Sequence, residues 1–161
     1  MPLPTLGKPA NQRCEYQRHG RGCAIYFHRP LGCKVFSCRW LANDDADDLR
    51  RPDRAHYVID ISPDFIKLHD NDSGKEHRVP VIQIWVDPKY PNAHEDPGLR
   101  AWLARRGREG YAALIRYGSY EAFTLFPPAM MADREWHEVR DGIGEPEHST
   151  AEIFDVVSEK I

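Results

Sequence analysis

Cys14, Cys23, Cys33 and Cys38 are the only cysteines in a chain of 161 residues, and all four fall at its N-terminal end. Thiols crowded in this way form disulfides, hold a metal, or are unrelated buried side chains. The spacing is C-x8-C-x9-C-x4-C, without the C-x2-C knuckle of zinc ribbons and bacterial ferredoxins. Cys33 and Cys38 would point about 140° apart on a helix and to opposite faces of a strand, so a turn must separate them if both bind one ion. Gly20, Gly22, Pro30 and Gly32 punctuate the stretch as a backbone wrapped around a small centre requires. Four thiolates around one Zn²⁺, at Zn–S distances of about 2.3 Å, stand too close together to tolerate one another without the cation.

The segment before the cysteines decides between metal and disulfide. Residues 1–13, MPLPTLGKPANQR, lack the apolar core of a secretory signal, and no later run reaches the roughly 18–20 apolar residues of a membrane span. A cytoplasmic protein with no membrane partner is expected, and reducing conditions there favour metal ligation. Zn²⁺ is favoured because the site is closed and uses thiolates alone. The alternative is iron or an iron-sulfur cluster on the same four residues, in an iron-sulfur protein or accessory oxidoreductase. Four thiolates on a divalent ion leave a charge of about −2, which Arg29, Lys34 and Arg39 are placed to offset. Ile25, Tyr26, Phe36 and Trp40 either keep water from the sulfurs or pack in a core. His19 and His28 are possible substitute ligands but read as exposed loop residues, since four cysteines already complete a tetrahedral shell.

The segment Gly22 to Leu41, GCAIYFHRPLGCKVFSCRWL, resembles the C-terminal half of the signature of the YkgJ-type cysteine-cluster family, described as zinc- or iron-chelating proteins. The matching positions are Gly22, Cys23, Ile25, Tyr26, Arg29, Pro30, Cys33, Phe36 and Cys38, with Trp40 and Leu41 continuing as in some members. The stretch Arg50 to Arg54, RRPDR, is also similar to the residues downstream of the cluster in some relatives. Many members carry a dense upstream run of cysteines, whereas this chain has only Cys14 there. The resemblance therefore implies metal binding at one four-coordinate site and no second site.

The remainder must supply the scaffold. With 22 basic and 25 acidic side chains and a formal charge of −3, the chain lacks the cationic excess that neutralises phosphates, so no nucleic-acid partner is expected. No catalytic motif, phosphate-binding glycine loop or repeat is present, and non-enzymatic metal binding is favoured. Residues 42–54, ANDDADDLRRPDR, read as a solvated loop without an EF-hand pattern. Strands are predicted at Tyr57 to Ile61, Phe65 to Leu68 and, most clearly, Val81 to Val86, with Pro80 near its start and a turn over 70–74. Asp96 and Pro97 open a helix with Leu99, Trp102 and Leu103 as its apolar face and Gly107 as its stop. Tyr111 to Tyr117 and Tyr120 to Phe126 predict a β-hairpin, whose aromatics read as core and not as a partner surface. Helices are predicted around Met130 to Val139 and from Thr150 to Ser158. The expected architecture is one α+β domain over 1–161, a mainly antiparallel sheet with a few helices and a four-cysteine metal-binding arm over 10–42.

Overall fold

The computed structural model describes residues 3–9, 12–18, 21–42, 44–61, 63–69, 74–118 and 121–140. Its centre is the strand β5, Glu76–Val86, whose β-branched half lies buried on both faces. Two short strands lie end to end along one flank, antiparallel to it. In β3, Tyr57–Ile59, Tyr57 pairs with Val86, and in β4, Asp64–His69, Asp64 pairs with Val81. On the other flank runs β6, Ala112–Arg116, parallel to β5, with Val81 opposite Ala112. Antiparallel β7, Ala122–Phe126, and β8, His137–Val139, complete the sheet. The fold is α+β with a mostly antiparallel sheet, the parallel β5–β6 pair being the exception. A parallel pair needs a long crossover, and helix α4, Pro97–Arg108, lies within it.

Alternation along the strands sorts the core. Ile82, Ile84, Val86, Ala113, Ile115, Phe123 and Leu125 cluster with Leu99, Trp102 and Leu103 of α4. On the opposite face Val81, Leu114 and Phe126 form a second cluster. Gln83 lies buried in the same sheet. Its Nε2 donates to Asp64 Oδ2 at 2.7 Å and its Oε1 accepts from Arg116 Nη1 at 3.1 Å. Burial lowers the pKa of Arg116, against the carboxylates of Asp64 and Asp60. Pro80 sits within β5, not near its start, at a place where β6 no longer runs alongside and a missing N–H breaks no ladder on that flank.

Asp96 caps α4 as the sequence predicts, accepting from the Leu99 N–H at 3.1 Å, with Pro97 in the first turn. Gly107 does not end the helix. It lies one residue inside the end of α4, and Pro127 packs so closely there that an added Cβ would stand 2.5 Å from Pro127 Cβ. The chain reverses at Gly110, φ 87°, where the Tyr111 N–H returns to the Arg106 carbonyl at 3.1 Å.

Two further expectations change. No helix covers Met130 to Val139: a 3-10 turn, Pro128–Met130, is followed by β8, because the edge of β7 accepts a partner strand and Trp136 packs under the Arg100 guanidinium at 4.7 Å. The Thr150 to Ser158 helix, the 70–73 part of the predicted turn and the tip of the hairpin at 119–120 lie outside the described residues. Among the described residues no helix is long and apolar enough to cross a membrane.

The Gly107–Pro127 contact gives a direct test. Gly107→Ala is expected to destabilise the fold by about 1–3 kcal/mol through overpacking, although alanine is the better helix former. A urea midpoint unchanged or raised would show that Pro127 gives way.

Candidate metal centre

The cysteines lie on an arm of short elements. Strands β1, Gln17–Arg18, and β2, Gly22–Cys23, form a small antiparallel hairpin that places Cys23 opposite Gln17. Gly22, at φ 80°, takes the left-handed conformation that the tight return requires. A 3-10 turn, Tyr26–His28, leads through Pro30 into helix α1, Leu31–Val35, which carries Cys33. Phe36 leaves the helix in extended conformation, so a short extended link, and not the expected turn, joins α1 to Cys38. Cys38 forms a β-bridge with Asp60 beside β3 and begins helix α2, Arg39–Ala42.

Burial divides this arm sharply. Among the described residues before Cys38 no side chain is buried, whereas Cys38 is 5% exposed. Tyr26 and Phe36 are exposed, and Phe27 is 86% exposed, so these aromatics are not a water-excluding wall. Trp40 packs against the main core and donates from Nε1 to the Leu49 carbonyl at 3.0 Å. A cavity of about 600 Å³ lies where Gln12, Arg13 and Gln17 face Val58 and Trp85.

Three of the four thiols share an electrostatic neighbourhood. The Cys33 thiol is pushed up by burial and then by Cys14 and Cys23, while Arg29 and Lys8 oppose the shift. Lys8 is itself lowered by burial, against the pull of Cys14 and Cys33. Arg29 is held by a bond from Nε to the Tyr26 carbonyl at 2.8 Å and by stacking at 3.8 Å on the Tyr26 ring. Among the described residues no three His, Cys, Asp or Glu side chains stand together as a ready metal shell. The donor chemistry of four thiols fits a thiophilic ion.

One of the expected neighbours belongs elsewhere. Arg39 does not face the thiols: its Nη2 lies 3.1 Å from Asp45 Oδ2, and its guanidinium lies over Trp102. Lys8, which spacing could not reveal, is near Cys14 and Cys33 instead. His28 is exposed on its 3-10 turn, and His19 lies outside the described residues.

Residues 42–54 are not a solvated loop. Ala46 and Leu49 are buried, and the Asp45 carbonyl accepts from Trp102 Nε1 at 2.7 Å. The Asp45 carboxylate also receives Arg106 Nη1 at 3.3 Å, and Asp48 pairs with Arg105 at 2.9 Å. This acidic run is how the segment after the cysteines docks on the basic end of α4. Compared with known proteins, the chain matches no family model, no curated protein and no solved structure.

Asp45→Ala would leave the partly buried Arg39 guanidinium without its carboxylate and Arg106 with Glu109 alone. It is expected to cost about 1–2 kcal/mol in chemical denaturation and to speed proteolysis between residues 38 and 49. Wild-type stability would mean that the backbone bond to Trp102 suffices as the anchor.

Proposed function

We propose that this protein binds one metal ion, zinc, through Cys14, Cys23, Cys33 and Cys38, and that the ion ties the N-terminal arm together and fastens it to the sheet at Cys38. The observation that carries this reading is that no described side chain before Cys38 is buried although every cysteine lies on that arm or at its end. A segment that cannot bury apolar surface needs crosslinks to hold a shape, and in a reducing cytosol the crosslink open to thiols is a metal. The resemblance to the YkgJ-type cysteine-cluster family supports the same assignment.

Cys14, Cys23 and Cys33 are the movable ligands and Cys38 the fixed one. Arg29 and Lys8 offset the charge of the bound thiolates, and Arg29, locked on Tyr26, does so without touching the ion. Storage or delivery of the metal uses the same four residues and differs only in how readily the ion leaves.

Protein purified anaerobically is expected to be colourless, with one zinc per chain, and its thiols should react with a disulfide reagent only after chelation. Folded, metal-free protein with four freely reactive thiols would overturn the proposal. A brown sample containing iron and sulfide would move the same ligands to a cluster.

A further inference from the structure

The arginines of the stretch 50–54 have different partners. Arg50 Nη1 lies 3.5 Å from Asp96 Oδ2, and Arg51 Nε donates to Asp53 Oδ1 at 3.1 Å. The Arg54 side chain is exposed and its guanidinium has no hydrogen-bond or ion-pair partner among the described residues. It lines a cavity of about 330 Å³ between helix α3, Pro52–Ala55, and the 3-10 turn Pro91–Glu95, together with Arg50, His56, Tyr90, Asn92 and Asp96. That volume is at the small end of ligand pockets, roughly 300–1,000 Å³. The one carboxylate of this lining is already engaged, by the Leu99 N–H and by Arg50. The recess thus keeps a cationic surplus in a chain whose formal charge is −3.

His56 is the second observation. It caps α3 at φ 61°, a left-handed conformation that glycine adopts freely and that costs other residues roughly 1–2 kcal/mol. Its ring stacks on Tyr90 with centroids 3.5 Å apart and planes 12° from parallel, and its carbonyl accepts from the Asp87 N–H at 2.9 Å. The left-handed cap is an ordinary way to end a helix, and here it sets the imidazole, fixed by its stack on Tyr90, at the wall of the cavity.

We propose that this recess binds a small molecule through an oxyanion, phosphoryl or carboxylate, which Arg54 receives, while the His56–Tyr90 stack and the Asn92 amide orient the rest of the ligand. A guanidinium presents paired N–H donors that match either oxyanion. No cysteine lines the cavity, so the site is independent of the metal reading.

The full-length protein is titrated with inorganic phosphate and, separately, with acetate at constant ionic strength set by chloride, following the amides of residues 52–57 and 90–96 by NMR. Saturable shifts confined to those residues are expected, the tighter anion identifying the ligand as phosphoryl or carboxylate. Arg54→Ala should weaken that anion by about tenfold or more. His56→Gly, which relieves the backbone, should keep or raise the melting temperature and still weaken binding severalfold. Shifts that chloride alone reproduces, that fail to saturate, or that persist undiminished in both variants would overturn the proposal.

Discussion

The governing constraint is the uneven distribution of burial along the chain. No described side chain before Cys38 is buried, while from Cys38 onward the chain feeds two apolar clusters around one sheet. A buried aliphatic or aromatic side chain is worth about 1.5–3 kcal/mol, and the described residues before Cys38 contribute none. A structural zinc bound by thiolates supplies on the order of 10 kcal/mol, enough to replace several such residues. In the proposed reading the ion orders the arm, and the sheet, with its own apolar clusters, does not rely on it.

The junction between the two regions is polar as well as apolar. Asp45 receives Arg39 and Arg106 on its carboxylate and Trp102 on its carbonyl, and so joins α2 to α4 with Trp102 wholly buried beneath. Ala46 and Leu49 fill the space beside it, and Trp40 closes over the Leu49 carbonyl. Cys38, bridged to Asp60, is thereby placed at the sheet edge by contacts that involve no thiol chemistry. In the proposed reading Cys38 is the ligand that the fold itself holds, and the other three thiols meet the ion from the arm. The same segment runs on into the recess around Arg54 and His56, to which it contributes Arg50.

What was legible in the sequence was local. The run Val81 to Val86, the Asp96 cap with Pro97, and the hairpin arms each carry their signal within a few residues, and each is present. The errors arise where a distant residue decides. Gly107 looks like a helix stop until Pro127 is placed against it, and the aspartates of 42–54 look solvated until Arg105 and Arg106 come to meet them. Met130 to Val139 reads locally as a helix, but a waiting strand edge outweighs weak local preference. In the candidate site, Arg29 lies near Cys33 as its position suggested, whereas Arg39 goes to Asp45 and Lys8 takes up a place by the thiols that no spacing rule could supply.

Amide hydrogen exchange on zinc-loaded and chelated protein tests the central claim most directly, because it reads the arm and the sheet separately in one sample. Residues 12–37 are expected to be protected with zinc and to exchange rapidly after chelation, while residues 81–86 and 112–116 keep the same protection in both. An arm whose exchange is unchanged by chelation, or a sheet that loses protection along with it, would contradict the division of labour described for this fold.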